Sequence, residues 1–240
     1  DSLAWENLMK THIQTVVGHY KGKATGWDVV NEAFRDDDGT LRVEDRHAGA
    51  EYDDGCLWAR HLGRDYIARA FQYAHEADPD ALLFYNEYGQ EWSDAKTNAI
   101  ISLVNDFKAR GIPIHGLGLQ MHIDINTSNT GIATAIEKLA ATGLLIHISE
   151  LDISVNPAND PSLSYSTALQ NTQSEKFAFI AEQYKKFVPA SQRYGITTWN
   201  VGDKDSWIRS FILRRDWPLL FDDDYVKKPC YYSFRKALKN

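Results

Sequence analysis

The stretch Leu-Leu-Ile-His-Ile-Ser-Glu at residues 144–150 decides the fold class of this chain of 240 residues. It is a short apolar run that ends on the carboxylate of Glu150. The stretch Gly-Trp-Asp-Val-Val-Asn-Glu at residues 26–32 repeats this arrangement and ends on Glu32. A carboxylate at the C-terminal end of a buried strand lies where parallel α/β folds expose their chemistry to solvent. The two stretches therefore predict parallel strands whose C-terminal ends share a functional face.

Helical and extended patterns alternate along the rest of the chain. The extended patterns lie at 24–31, 82–86, 116–122, 144–150 and 196–201. A helical pattern follows each strand, which predicts a parallel sheet covered by helices. Helix-to-strand connections are only a few residues long, whereas the strand-to-helix connections 33–57, 151–172 and 202–228 are long. Long loops on one side of the strands are typical of barrel enzymes.

The number of strands indicates an incomplete barrel. A (β/α)8 TIM barrel needs eight strands and about 250 residues, whereas one helix and then five strands are predicted here. An open sheet would leave a long apolar strand edge exposed. We therefore expect residues 1–240 to form a single domain that supplies about the last five βα units of a barrel and lacks its first three strands.

Composition excludes several classes of function. The net charge is −7 and no basic run occurs, so nucleic acid and anionic membrane surfaces are poor partners. No apolar stretch approaches the ~20 residues of a membrane span. There is no CxxC, HExxH or similar ligand spacing, so we expect no metal and no cofactor. Cys56 and Cys230 are too few for a disulfide scaffold, and whether they pair stays open.

Polar side chains crowd the ends of three predicted strands. Asn31 and Glu32 end one, Gln120 and His122 end another, and Glu150 ends the third. A lone glutamate at a strand end usually makes a surface ion pair, and a lone histidine is more often structural than catalytic. Polar groups crowded at a strand end cost free energy, so their presence at three strand ends indicates a functional use. A histidine beside a carboxylate can hold that carboxylate ionised and oriented.

Further polar and aromatic residues lie at the same predicted face. Asn86 closes the strand 82–86 and Tyr88 follows it, while Trp199 lies near the end of the last strand and Trp207 in the loop beyond. Tryptophans fill cores, or they offer apolar faces to flat ligands such as sugar rings. Trp199 fits either role. The polar Asp-Lys-Asp-Ser context of Trp207 favours a role in facing a ligand.

Five motifs in series resemble those of glycoside hydrolase family ten, the endo-β-1,4-xylanases. The motifs are WDVVNE at 27–32, QMH at 120–122, ISELDI at 148–153, WNVGDKDSW at 199–207 and PLLFDDDYVKKPCYYS at 218–233. The resemblance runs from residue 3 to residue 238. It implies an endo-acting, retaining hydrolase of β-1,4-xylosidic bonds, with Glu32 as general acid/base and Glu150 as nucleophile. In a retaining enzyme we expect their carboxyl groups to lie about 5–5.5 Å apart.

The resemblance also implies roles for the other candidates. Asn31 matches a residue that binds the sugar 2-hydroxyl, and His122 matches one that contacts the nucleophile, with Gln120 as its neighbour. The match makes Trp199 and Trp207 the aromatic walls around the cleaved sugar. It places Asn86 and Tyr88 on the leaving-group side.

The chain departs from the family pattern at its start. The family's first three strands supply a Glu-Asn pair, a Lys and a His that grip sugars on the non-reducing side, and no matching segments occur here. Some members carry a carbohydrate-binding module inserted after the third strand. We therefore expect three partners: xylan, xylo-oligosaccharides, and an N-terminal segment that completes the barrel, with or without such a module.

Two other functions stay open. One is a related retaining β-glucanase. The other is a carbohydrate-binding fragment that is inactive without the N-terminal part of the barrel. The family resemblance further implies a secreted, cell-surface or periplasmic location.

Overall fold

A computed structural model of the chain describes residues 1–44 and 55–239. The chain divides into two compact units. The first comprises Asp1–Glu87 and Ser93–Gly118, and the second comprises Tyr88–Trp92 and Leu119–Asn240. The expected loop 33–57 lies partly outside the described residues, and the single domain over 1–240 stays a prediction.

The first unit alternates helices with parallel strands. Its elements are α1 (Ser2–His19), β1 (Gly26–Asn31), α2 (Leu57–Leu62), α3 (Tyr66–Ala77), β2 (Leu82–Glu87), α4 (Asp94–Arg110) and β3 (Gly116–Leu119), of which Leu119 belongs to the second unit. β1 and β2 are parallel, and their register ends with Asn31 opposite Asn86. The predicted strands 24–31 and 82–86 are confirmed. The pairing brings two polar strand ends of the candidate site side by side.

Helix caps and an aromatic contact fix the helices of this unit. The Ser93 hydroxyl accepts a hydrogen bond from the Lys96 amide at the start of α4, and Gly111 ends that helix with a left-handed φ of 66°. Such a glycine is a common helix stop because it has no Cβ to clash. Phe71 of α3 and Phe107 of α4 are fully buried, with ring centroids 5.3 Å apart. These contacts hold α4 in place, and α4 carries the buried Lys96.

The second unit continues the alternation. Its elements are β4 (His122–Asp124), α5 (Asn129–Ala140), β5 (Leu145–Ser154), α6 (Thr167–Phe187), β6 (Arg193–Thr198), α7 (Trp207–Ser210) and α8 (Pro229–Lys239). β5 lies between β4 and β6 and is parallel to both. The parallel α/β architecture predicted from the sequence is confirmed.

Two strand boundaries differ from the prediction. The expected strand 116–122 breaks after Leu119 and resumes at His122, because Met121 takes a left-handed φ of 62°. The strand that was to end at Glu150 runs on to Ser154, since residues 152–154 pair with β4. The restart of one strand therefore explains the extension of the other.

The last predicted strand is shifted towards the N-terminus. It runs over Arg193–Thr198 instead of 196–201. The Trp199 amide still donates to the Leu151 carbonyl at 3.0 Å, but Asn200 turns the chain away with a φ of 99°. Trp199 therefore follows the strand instead of lying in it.

The structure also bears on membrane-spanning helices and on the two cysteines. Within residues 1–44 and 55–239, no helix combines the length and the apolar character needed to cross a bilayer. Cys56 and Cys230 both carry free thiols. The pairing that the sequence left open is therefore absent.

Candidate active site

Glu32 lies directly beyond the end of β1 in an uncommon backbone conformation. Its φ is 55°, in the left-handed region, and its amide donates to the Asn86 carbonyl at 3.0 Å. The Asn86 side chain is buried and its Nδ2 donates to Oδ1 of Asn31 at 2.9 Å. Three of the residues predicted for the site, Asn31, Glu32 and Asn86, are thus brought together by the β1–β2 pairing.

The next two amides of the chain are also held by β2. The Ala33 amide donates to the Tyr85 hydroxyl at 3.0 Å, and the Phe34 amide donates to Oε2 of Glu87 at 3.2 Å. Tyr85 in turn donates to the same Glu87 oxygen at 2.7 Å. Sequence reasoning missed both Tyr85 and Glu87. The available signal was their position on either side of Asn86.

His122 joins two carboxylates in the second unit. Its Nε2 lies 3.1 Å from Oε2 of Glu150, and its Nδ1 lies 3.0 Å from Oδ1 of Asp152. The backbone adds a further link, since the Glu150 amide donates to the Gln120 carbonyl at 3.0 Å. The predicted residues Gln120, His122 and Glu150 therefore form one cluster.

The electrostatics of this cluster favour a positively charged ring. Burial lowers the pKa of His122, but the carboxylates of Asp152 and Glu150 outweigh burial and raise the pKa to about 9. Burial raises the pKa of Asp152, and the contacts with His122 and Trp207 oppose that rise. At neutral pH the His122 ring is therefore an imidazolium held between two acidic side chains.

Two tryptophans frame the His122 ring. Trp207 donates from Nε1 to Oδ2 of Asp152 at 2.7 Å, and its ring centroid lies 5.1 Å from that of His122. The Trp199 centroid lies 6.2 Å from the His122 ring, and 44% of its surface is exposed. Exposure argues against the core-filling role that the sequence left open for Trp199. Asp152 was not among the predicted site residues, although strand alternation places residues 150 and 152 on one face.

The remaining candidates occupy less informative positions. The Gln120 side chain is buried, and Tyr88 is half-buried directly beyond β2. Glu32 belongs to the first unit, whereas Glu150 belongs to the second. The carboxyl separation of about 5–5.5 Å that a retaining mechanism requires stays a prediction.

The sequence of this chain matches a known protein family over nearly its whole length. The family model described as Glycosyl hydrolase family 10 matches residues 2–237. This chain belongs to glycosyl hydrolase family 10. The family resemblance inferred from the sequence is thereby confirmed, and with it the (β/α)8 barrel as fold class.

Named relatives and solved structures fit this family 10 assignment. The chain is 38% identical over 230 residues to an endo-1,4-beta-xylanase of Geobacillus stearothermophilus, covering 93% of this chain and 66% of that protein. It is 38% identical over 238 residues to the exoglucanase XynX of Acetivibrio thermocellus, covering 96% of this chain and 20% of that protein. Both relatives are longer, and this chain spans less than two thirds of either.

A solved structure gives the same picture in three dimensions. A mutant of xylanase 10C from Cellvibrio japonicus, in complex with xylopentaose, matches with a TM-score of 0.86 and 36% identity. The match covers 99% of this chain and 48% of that one.

A cleft beside His122 gives this family 10 chain room for a ligand. Its volume is about 380 Å³, within the usual range for small-molecule sites. Its lining includes the aromatic rings of Trp92 and Trp207 and the charged groups of Asp124 and Arg214. Across residues 1–44 and 55–239, no three His, Cys, Asp or Glu side chains are grouped to hold a metal ion.

Proposed function

We propose that this chain carries the catalytic carboxylates of an endo-acting, retaining glycoside hydrolase that cleaves β-1,4-xylosidic bonds in xylan. One observation carries the proposal: His122 lies 3.1 Å from Glu150 and 3.0 Å from Asp152. A carboxylate that acts as a nucleophile has to be oriented, and a charge-assisted contact with an imidazolium does this. The names of the family 10 relatives support xylan as the substrate.

The proposed reaction has two steps with opposite proton transfers. In the first, a Glu150 oxygen attacks the anomeric carbon while protonated Glu32 donates its proton to the leaving glycosidic oxygen. This forms a covalent xylosyl ester on Glu150 and releases the shortened chain. In the second, Glu32 takes a proton from water, and the resulting hydroxide displaces Glu150 from the sugar. Both steps invert the anomeric centre, so the product retains the original configuration.

The other residues have supporting roles in this scheme. Asn31, whose side chain accepts a hydrogen bond from Asn86, is assigned to bind the sugar 2-hydroxyl. Trp199 and Trp207, whose rings lie near that of His122, are assigned to offer aromatic faces to a sugar ring. Tyr88 and the cleft lined by Trp92 are assigned to the leaving-group side.

Substitutions of the two glutamates test the proposal. In the full-length protein, Glu150→Ala should abolish turnover of every glycoside. Glu32→Ala should slow the hydrolysis of xylo-oligosaccharides far more than that of dinitrophenyl xylobioside, because an activated phenol leaves without a proton. The kcat/KM values on both substrates measure the difference, because kcat/KM reports the first, bond-breaking step and excludes the later hydrolysis of the ester. Equal losses for Glu32→Ala on the two substrates would contradict its assignment as general acid.

A β-glucanase is the second candidate, because one relative is named an exoglucanase. Xylose lacks the hydroxymethyl group of glucose, and a site shaped for the pentose rejects the larger ring. The ratio of kcat/KM for xylohexaose to kcat/KM for cellohexaose separates the two. A ratio above one supports the xylanase, and a ratio below one supports the glucanase.

A carbohydrate-binding fragment is the third candidate, because the relatives are longer than this chain. It would bind xylo-oligosaccharides without cleaving them until an N-terminal segment, with or without an inserted carbohydrate-binding module, completes the barrel. Calorimetry together with product analysis, with and without that segment, distinguishes binding from turnover. We also propose a secreted, cell-surface or periplasmic location, because polymeric xylan does not cross membranes.

A further inference from the structure

The general acid assigned above depends on a backbone conformation that glutamate rarely adopts. Glu32 has a φ of 55°, in the left-handed region that favours glycine. Strained non-glycine residues persist only where their surroundings fix them, and they cluster at active sites. The backbone at Glu32 therefore needs partners that hold it, and these are found on β2.

Three consecutive amides bind three consecutive residues of β2. The first of these amides, on Glu32 itself, donates to the backbone of Asn86. The other two bind side chains: Ala33 donates to the Tyr85 hydroxyl at 3.0 Å and Phe34 donates to Oε2 of Glu87 at 3.2 Å. Side-chain partners in this arrangement set the path of the chain just beyond the catalytic carboxylate.

Glu87 is built into the protein interior. Its side chain is fully buried, and Oε1 lies 3.2 Å from Nζ of Lys96, whose side chain is also fully buried. Lys96 is further paired with Asp36 at 2.6 Å. A buried carboxylate is tolerated only when it is paired and hydrogen-bonded, and removal of one partner is strongly destabilising. The ion pair therefore keeps Glu87 charged and in one orientation.

Tyr85 completes the link between Glu87 and the amides. It is fully buried and donates to Oε2 of Glu87 at 2.7 Å. Burial and the Glu87 carboxylate raise the pKa of the Tyr85 hydroxyl well above its ordinary value. The hydroxyl therefore keeps its proton, so it can donate to Glu87 while accepting from the Ala33 amide.

We infer that Glu87 and Tyr85 are positioning residues for the general acid, acting by holding the amides of residues 33 and 34 and so the left-handed backbone of Glu32. The inference rests on the proposed function of Glu32. Neither side chain is assigned to contact the sugar. Their effect should appear only in steps in which Glu32 donates or accepts a proton.

Leaving-group dependence tests the inference in the full-length protein. Tyr85→Phe removes only the hydroxyl, whereas Glu87→Gln removes the charge and replaces one acceptor oxygen by an NH2 donor. For xylohexaose we expect kcat to fall on the order of 10- to 100-fold in each variant, because small misplacements of a catalytic group are costly. KM should stay constant. For dinitrophenyl xylobioside, the rate of the bond-breaking step should change by less than about twofold, since that leaving group needs no acid.

Tyr184→Phe is the matched control. Tyr184 is also buried, and its hydroxyl also bridges backbone groups: it donates to the Ile146 carbonyl at 2.7 Å and accepts from the Gly195 amide at 3.1 Å. It lies on α6, outside the network of Glu32. In this control, the rates on the two substrates should change by the same factor. Any such change should accompany a loss of thermal stability.

Each outcome decides the inference. The inference would be overturned if Tyr85→Phe lowered the rates on the two substrates equally, or lowered neither. If Glu87→Gln does not fold, Tyr85→Phe decides alone. If Tyr85→Phe does not fold either, the network serves the fold and the positioning role is withdrawn. A wild-type protein that cleaves neither substrate refutes the proposed function instead, which keeps the two failures distinguishable.

Discussion

Nε2 of His122 lies 3.1 Å from Oε2 of Glu150. The two residues come from neighbouring strands of the second unit, where β4 restarts at His122 and pairs with the extended end of β5. Asp152 contacts the other ring nitrogen, Nδ1. The extension of β5 past Glu150 therefore supplies the carboxylate that keeps His122 charged and oriented.

The charged His122 ring should make stability depend on pH. Its pKa is about 9, above the ordinary 6.5, so the folded state binds this proton more tightly than the unfolded state. The contribution is fully present below pH 6.5 and is lost as pH rises through about 9. We expect it to amount to on the order of 3 kcal/mol over this window.

Urea unfolding at pH 6, 7.5 and 9, about the limits of that window, measures this effect. His122→Asn should lack the component, so the difference between its free energy of unfolding and that of wild type should shrink as pH rises. Parallel pH curves for the two proteins would contradict the assignment of a charged ring.

Trp207→Phe should reveal the hydrogen bond to Asp152. The substitution keeps an aromatic ring but removes the Nε1 donor that lies 2.7 Å from Oδ2 of Asp152. Asp152 is 1% exposed, so the lost partner should lower the free energy of unfolding by about 1–3 kcal/mol. Trp199→Phe is the control, because that ring is 44% exposed and its loss should cost less than about 0.5 kcal/mol. If the free energy of unfolding fell by a similar amount in the two variants, the hydrogen bond to Asp152 would not be the cause of the loss.

Gly118→Ala should disturb the asparagine pair beside Glu32. A Cβ at Gly118 would lie 2.1 Å from Oδ1 of Asn86, so the Asn86 side chain has to shift, which disturbs its hydrogen bond to Asn31. We expect a loss of about 1–3 kcal/mol in the free energy of unfolding and a lower kcat on xylo-oligosaccharides. Gly195→Ala is the control, also in a strand, because a Cβ there meets nothing within 4 Å. Wild-type kcat in Gly118→Ala would show that the Asn86 contact is dispensable.

Much of the architecture could be predicted from sequence because its signals are local. Apolar strands such as 82–86 and glycine stops such as Gly111 are visible without tertiary knowledge. The break at Met121 is not, since a methionine with a φ of 62° carries no sequence signal. That conformation is fixed by the surrounding structure, and it moves a strand boundary by several residues.

The candidate site divides in the same way. Glu32, Glu150 and His122 could be proposed from the sequence because each belongs to a recognisable motif at the end of a predicted strand. Lys96 could not, because a lysine inside a helix is ordinarily a surface residue, yet here its side chain is fully buried against Glu87. Only the packed tertiary structure shows which charged residues are buried.

Covalent trapping tests the central claim most directly. A dinitrophenyl xylobioside with fluorine at the 2-position should form the ester but hydrolyse it slowly, because the fluorine destabilises the oxocarbenium-like transition states of both steps and the activated leaving group rescues only the first. Mass spectrometry of the digested protein should then place one fluoroxylobiosyl group on Glu150. An adduct on another residue, or hydrolysis with inverted configuration and no adduct, would contradict the assignment of Glu150 as nucleophile of a retaining enzyme.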